Sequence, residues 1–197
     1  MFFQFAALAI LAAFYGCYFA KMLGQRRKGI QTDQMGRGKA GSVKVIEYAL
    51  KAASILAVAA ELVSIAVGTA PLPLWVRWLG TAIGGAGVAV FTAVVVTMRD
   101  SWRAGVPEAD KTELVTGGIF AYSRNPAFLG FDLVYIGIAM LFFNWGLLLV
   151  SALAAGMLHL QIVYVEEDFL DKAFGDEYRA YRKRVNRYAG RKRSRAS

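Results

Sequence analysis

Five long apolar runs, separated by short polar segments, dominate this 197-residue chain. Each holds 18 or more residues, which is the length that an α-helix needs to cross a bilayer. The chain is 57% hydrophobic with a mean hydropathy of +0.42, too apolar for an ordinary soluble domain. The sequence therefore predicts an all-α integral membrane protein, a single domain over residues 1–197, with about five transmembrane helices at 2–23, 47–68, 74–98, 126–143 and 145–165.

Basic residues are concentrated in three polar segments, at 21–44, at 99–124 and from residue 176 onwards, whereas the 69–77 segment carries only Arg77. The positive-inside rule places the three basic segments and the C-terminus in the cytoplasm. Five helices then put the N-terminus outside. The net charge of +9 is explained by contact with anionic membrane lipids, and no recognised motif indicates a nucleic-acid partner.

The most informative stretch is 111–128, KTELVTGGIFAYSRNPAF, in which a polar loop ends in Arg124-Asn125-Pro126 as the fourth apolar run begins. The fifth run leads directly into Glu166-Glu167-Asp168. The short break at Asn144-Trp145-Gly146 makes the two helices antiparallel, so the arginine and the acids should lie on the same side of the membrane. We expect a polar site there, at the boundary between water and lipid.

Three ionisable side chains, Glu61, Asp132 and His159, fall inside predicted helices, where such groups are costly and often functional. Glu61 can instead pair across helices or face a water pocket, and Asp132 can pair with a nearby cation. His159 lies seven residues before Glu166 and so on the same helix face, which makes a site role and an interhelical hydrogen bond equally reasonable. Gly80, Gly84 and Gly87 form a small-residue face that predicts close packing of the third helix.

The C-terminal segment predicts a helix that leaves the membrane and breaks at Gly175. A second helix, over about 176–187, carries Tyr178, Tyr181 and Val185 at three- and four-residue spacing among basic residues. This pattern predicts an amphipathic interfacial helix that lies back over the loop before the fourth helix. From about residue 190 to residue 197 we expect a disordered basic tail.

Two segments resemble the signatures of isoprenylcysteine carboxyl methyltransferases and related membrane methyltransferases. LVTGGIFAYSRNPAFLGF is similar to L-V-T-x-G-x-Y-x-x-x-R-H-P-x-Y-x-G, and EEDFLDKAFGDEYRAYRKRV resembles E-E-x-x-L-x-x-x-F-G-x-x-Y-x-x-Y-x-x-R-V. The similarity covers about 112–188, with a weaker likeness from about 99. The first three helices match only as hydrophobic spans.

The resemblance implies that S-adenosylmethionine binds in a cytosol-facing pocket, within a catalytic region at about 99–188 that holds no metal. The pocket is closed by the loop before the fourth helix and by the C-terminal segment. Arg124, Asn125 and Glu167 are the predicted catalytic residues. The predicted cofactor-binding residues, among which His159 is added from its position, are Leu114, Val115, Thr116, Gly118, Phe120, Tyr122, Arg124, Asn125, Pro126, Phe128, His159, Glu166 and Glu167.

The chain departs from the family pattern at several positions. Asn125 replaces a histidine and keeps hydrogen-bonding capacity but cannot titrate. Phe120 and Phe128 stand at aromatic positions that are often tyrosine. Leu160 stands where an ungapped match places an arginine that helps hold the substrate, so what positions an acceptor carboxylate in this chain is open.

The leading prediction is an enzyme that methylates the α-carboxylate of an isoprenylated cysteine, with the lipid entering past Phe128, Leu129 and Leu158. A carboxylate is ionised at pH 7, so this reaction needs positioning and exclusion of water but no general base. One alternative is a phospholipid amine N-methyltransferase, which needs a proton acceptor; Asn125 cannot be one, but a glutamate could serve. The other is a non-catalytic membrane scaffold or transporter subunit.

Overall fold

A computed structural model describes residues 1–106 and 113–192, and the secondary structure of this part of the chain is helical. Lys111 and the basic tail from residue 193, both used in the predictions above, lie outside the described residues. The helices are α1 (Phe2–Arg27), α2 (Gly41–Val67), α3 (Leu74–Met98), α4 (Pro126–Leu141), α5 (Trp145–Gln161) and α6 (Glu167–Arg184).

Four helical stretches in the described residues are long and apolar enough to cross a membrane: Phe2–Arg27, Gly41–Val67, Leu74–Ser101 and Trp145–Arg184. The prediction of an all-α membrane protein is confirmed. The predicted fourth span was 126–143, but α4 is shorter and ends at Leu141, because Phe142 leaves the helical conformation with φ −134° and ψ 54°. Its 16 residues extend about 24 Å, less than the roughly 30 Å hydrocarbon core.

Two helices are longer than their apolar runs. The first run was predicted to end near residue 23, but α1 continues to Arg27, where Gln25 is buried and donates to the Trp102 carbonyl at 3.0 Å. The second was predicted from residue 47, but α2 begins at Gly41. Hydropathy marks only the part of a helix that faces lipid, whereas a helix continues as long as its polar turns find partners.

Close packing of α3 against α4 confirms the role predicted for the glycine face. A Cβ atom on Gly137 of α4 would lie 2.6 Å from the backbone nitrogen of Gly84, and one on Gly87 would lie 2.8 Å from the carbonyl oxygen of Gly130. Only glycine allows two helix backbones to approach this closely. The closely packed α3–α4 pair therefore forms a base that positions the start of α4.

The buried apolar side chains form two clusters. The larger one joins α1, α3 and α4 to tyrosines of α6, with Phe14, Phe91 and Ile138 near its centre. The smaller one joins α2 to α4 and α5 through Leu50 and Leu158, among others. A cavity that is lined by members of both clusters lies between them.

The predicted break at Gly175 is confirmed, because this residue has φ +49°, which glycine adopts without steric cost. The second helix was predicted to reach residue 187, but α6 ends at Arg184 and Val185 is extended. Val185 pairs with Arg191, and Gly190 donates its backbone N–H to the Tyr122 carbonyl. Residues 190–192, which were predicted to belong to a disordered tail, are instead held by backbone hydrogen bonds to the loop before α4 and to the end of α6.

The polar segments meet at one end of the helices. Lys28 at the end of α1 binds Asp100 at 2.8 Å, and Asp33 forms a parallel bridge with Ala104. At the opposite end the Asn144 side chain donates to the hydroxyl of Ser64. The loop between α1 and α2, the segment after α3 and the start of α4 thus share one end of the molecule.

Candidate functional site

Arg124 and Glu167 form a buried ion pair that joins the two open ends of the α4–α5 hairpin. The Nη2 atom of Arg124 lies 3.1 Å from Oε1 of Glu167, and each residue is 8% exposed. The Nη1 atom of Arg124 donates to the Tyr178 hydroxyl at 2.7 Å. The prediction that the hairpin brings the arginine and the acids together is confirmed.

Arg187 completes this network and was not identified from the sequence. Its Nε and Nη2 atoms donate to the two carboxylate oxygens of Glu167 at 2.8 and 2.9 Å. These hydrogen bonds raise the pKa of Arg187. Arg187 lies two residues beyond the second signature, so the signature gave no signal for it.

Asn125, at the position where the family has histidine, binds the C-terminal segment. Its side-chain Nδ2 donates to the Arg187 carbonyl at 3.0 Å, and its backbone N–H donates to the same oxygen at 3.2 Å. The residue is 5% exposed. An amide fits this position because it supplies a permanent donor to a carbonyl, whereas a histidine supplies one only in the right tautomer.

The α6 helix lies over the loop before α4, as the sequence predicted. The Tyr181 hydroxyl donates to the Phe120 carbonyl at 2.6 Å, and Tyr178 and Tyr181 are almost completely buried. Val185 is buried beside them. The apolar side of this helix thus packs against the loop, and its basic side faces outward.

A cavity of about 520 Å³ lies beside this network. Its volume falls in the range of small-molecule binding sites in proteins. Most of the predicted cofactor-binding residues line it: Leu114, Val115, Phe120, Arg124, Asn125, Pro126, Phe128 and Glu166.

Five predicted site residues do not line the cavity. Glu167 lies behind Arg124, and Thr116 is half-buried. Gly118, with φ +59°, packs against Thr97, while Tyr122 is 62% exposed beside the guanidinium of Arg191. His159 is exposed and forms a hydrogen bond with the Tyr188 hydroxyl.

Glu166 and Glu167 face different surroundings, because neighbouring residues on a helix point in directions about 100° apart. Glu166 is the last residue of a π-helical turn, Ile162–Glu166, that connects α5 to α6, and Glu167 is the first residue of α6. Glu167 belongs to the arginine network, whereas Glu166 lines the cavity. The acid pair of the signature therefore divides into one residue that fixes the fold of the site and one that faces its interior.

A second buried carboxylate, Glu47 of α2, was not identified from the sequence. It is fully buried and accepts hydrogen bonds from Lys39 at 2.5 and 2.6 Å, from the Gly36 backbone at 2.6 Å and from Gln161 at 3.2 Å. These bonds join the loop between α1 and α2 to the end of α5. A glutamate at the edge of an apolar run, with lysines nearby, was the available signal.

Much of the remaining cavity wall comes from α1, α2 and their connecting loop, and part of it comes from α3 and residues 101–106. The signatures cover none of these segments. Phe19 of α1 and Ile55 of α2 line the cavity and are 50% and 65% exposed, so the cavity reaches the outer surface between these helices. Phe128 and Leu158, two of the three residues predicted to line a lipid entrance, also line this cavity. Leu129 and Leu160 are not among its lining residues.

Two ionisable groups inside the helices lie outside the cavity wall. Glu61 is fully buried, and neither of its carboxylate oxygens has a hydrogen-bond partner within the described ranges. One carboxylate oxygen of Asp132 is in the same situation. Over residues 1–106 and 113–192 there is no group of three His, Cys, Asp or Glu side chains that could hold a metal ion.

Comparison with known proteins identifies the family of this chain. A match to the model of the phospholipid methyltransferase family runs over residues 75–177, just over half of the chain. The chain is also 40% identical over 72 residues to protein-S-isoprenylcysteine O-methyltransferase of Schizosaccharomyces pombe. That match covers 36% of this chain and 30% of the relative. The resemblance found in the two signatures is confirmed, and the chain belongs to the phospholipid methyltransferase family.

Proposed function

We propose that this protein is an S-adenosylmethionine-dependent methyltransferase that forms a methyl ester on the C-terminal carboxylate of an isoprenylated cysteine. One observation carries the proposal. A single cavity is lined at one end by residues of the first signature, such as Arg124, and at the other by half-exposed apolar side chains, Phe19 and Ile55. A charged donor from water and an apolar acceptor from lipid can meet in such a cavity.

The residues at the polar end fit the donor. The Nε atom of Arg124 is buried and has no hydrogen-bond partner among the residues that the structure describes, so it can donate to the carboxylate of a methionine group. Leu114, Val115 and Phe120 provide apolar surfaces for an adenine ring, and Glu166 can accept hydrogen bonds from an ammonium or ribose hydroxyls. When bound, S-adenosylmethionine supplies a methyl group on a positively charged sulfur.

The residues of the chain then have to orient the two substrates and exclude water from the cavity, and they do not have to transfer a proton. A carboxylate acceptor is already ionised at pH 7. Asn125 is committed to the Arg187 carbonyl, and Arg124 is held by Glu167 and Tyr178, so both present fixed groups to the cavity. Buried Trp102 and Phe120 help to exclude water from it.

The rival acceptor is a phospholipid amine, and one observation favours it. The carboxylates of Asp33, Glu113 and Glu166 line the cavity, and any of them can take the proton that an ammonium must lose. The two acceptors are therefore separated by experiment.

We propose an N-terminus outside and a C-terminus and active site in the cytoplasm, within one methyltransferase domain over residues 1–197 whose catalytic region is about 99–188. The basic segments around Lys28 and Arg124 meet at one end of the helices, which supports this orientation. In a Cys17→Ala background, a membrane-impermeant maleimide should label Arg37→Cys from the cytoplasmic side and Thr69→Cys from the outside. Labelling of both from one side would contradict the orientation.

The function is tested with purified protein in nanodiscs. Radiolabelled S-adenosylmethionine should bind at equilibrium, and Arg124→Ala should weaken binding by about 1.5–3 kcal/mol, the contribution of a hydrogen bond to a charged group. Turnover is then measured with N-acetyl-S-farnesylcysteine and, separately, with phosphatidylethanolamine. Ester formation on the first supports the proposal, methylation of the second alone supports the amine reaction, and absence of binding supports a non-catalytic membrane scaffold or transporter subunit.

A further inference from the structure

A lysine on α2 faces the same cavity as the signature residues, although no signature covers it. The Nζ atom of Lys51 lies 2.6 Å from Oδ2 of Asp33, and both residues line the cavity. Lys51 is neither buried nor free in solution: its side chain is 44% exposed, and that of Asp33 is 29% exposed. The pair therefore stands where the cavity meets the surface.

The position of Lys51 along α2 links it to the apolar end. Ile55 lies four residues further on, so it is on the same face of the helix, and it is 65% exposed. Leu50 and Ser54 also line the cavity. An acceptor with its apolar chain against Ile55 would bring a charged head one helical turn away, at the level of Lys51.

The other cations of the cavity wall have partners that hold them in place. Arg124 is bound to Glu167 and Tyr178. Arg103 donates to the carbonyls of Asp100 and Trp102 and makes further contacts. Lys51, at the end of a flexible four-carbon chain, can change partner at low cost.

Asp33 in contrast is fixed. Its backbone pairs with Ala104, and its Oδ1 atom accepts from the Met35 backbone at 3.2 Å. Because Asp33 stays in place, Lys51 can bind an acceptor carboxylate only by turning its own side chain away from Asp33. The chemistry of the two anions is the same.

We propose that Lys51 binds the carboxylate of the acceptor, exchanging Asp33 for it when the acceptor enters. This inference rests on the proposed function and supplies the cation that Leu160 cannot. In the reaction, an oxygen of the bound carboxylate forms a bond to the methyl carbon while the bond between that carbon and sulfur breaks, with its electron pair going to sulfur. No proton moves, and Lys51 stays protonated throughout.

The test uses full-length protein in nanodiscs, with N-acetyl-S-farnesylcysteine as the acceptor and its carboxamide as a matched probe without charge. Lys51→Met should raise the KM of the acid at least tenfold and leave the Kd of S-adenosylmethionine unchanged. Lys51→Arg should stay within about threefold of the wild type. The wild type should bind the acid more tightly than the amide, and Lys51→Met should bind the two equally. Lys44→Met, an exposed lysine near the start of α2, is the control and should change neither constant.

Asp33→Asn makes the test sharper, because it should change the KM of the acid in the direction opposite to that of Lys51→Met. Removing the competing carboxylate should lower the KM of the acid. If Asp33→Asn raises the KM as much as Lys51→Met does, the pair has a structural role or binds a zwitterion, and the inference is overturned. An unchanged KM or unchanged preference for the acid in Lys51→Met also overturns it. Absence of ester formation by the wild type overturns the proposed function itself, which is a different result from an active enzyme that is indifferent to Lys51.

Discussion

The two ends of the cavity are built in different ways. The end near Arg124 is made of residues close together in two sequence segments, which are held by a network in which Glu167 binds two arginines. The end near Lys51 is assembled from α1, α2 and a loop, with mostly apolar side chains and one exposed ion pair. Under the proposed function, the first end binds S-adenosylmethionine, which is the same molecule in every reaction. The second end binds the acceptor, whose structure can vary.

Glu167→Ala should have the largest effect and test whether the network supports the first end. Removing one partner of a buried pair leaves Arg124 uncompensated and costs about 3–5 kcal/mol of stability. We expect early loss of the monodisperse protein on heating in detergent, and weaker binding of S-adenosylmethionine. The neighbouring Asp168→Asn is the control, because its pair with Lys172 is exposed, and it should have little effect. Equal effects of the two variants would show that the network is not what holds this end.

Lys39→Met should separate the two ends. It removes the cation of the buried Glu47 pair, which costs about 3–5 kcal/mol of stability in general. Because the bonds from Gly36 and Gln161 to Glu47 remain, we expect about 3 kcal/mol, at the lower end of this range. Because the loop between α1 and α2 carries Asp33, the acceptor KM should rise and the Kd of S-adenosylmethionine should hold. Lys44→Met is the matched exposed lysine. A parallel change in both constants would mean that the two ends are coupled through Glu47.

Gly137→Ala should act on the base that both ends share. The added methyl group would lie 2.6 Å from the backbone of Gly84, so the helices must separate, at a cost of about 1–3 kcal/mol. Gly85→Ala on the opposite side of α3 has no atom within 4 Å of the new methyl group and should be neutral or stabilising. The readout is thermal stability in detergent. A destabilised Gly85→Ala of similar size would contradict the assignment of the packed face.

Arg187→Lys should have the smallest effect and show how much the fork of the guanidinium matters. A lysine keeps the charge but loses the two parallel hydrogen bonds to Glu167. Because Arg187 is one-third exposed, we expect the binding free energy of S-adenosylmethionine to weaken by only about 0.5–1 kcal/mol. The measurement is the Kd of S-adenosylmethionine, with Arg184→Lys as the exposed control. A loss as large as that in Glu167→Ala would make Arg187 the centre of the network.

By itself, the sequence determined the class of the protein, the antiparallel α4–α5 hairpin, the glycine face of α3 and the placement of Arg124 and the acids at the same end of the hairpin. These follow from local rules: runs of apolar residues, short connections and helical periodicity act over a few residues. The two signatures added the family, because their residues lie within short segments of the chain.

Only the tertiary structure decided the rest. It separated Glu166 from Glu167, assigned Asn125 to the Arg187 carbonyl and brought Glu47 and Lys51 to the site. Each of these depends on contacts between segments far apart in sequence, for which periodicity carries no signal. The helix ends at Arg27 and Gly41 were missed for a related reason. Hydropathy marks only the apolar part of a helix, whereas the helix continues through polar residues when their side chains find partners elsewhere in the fold.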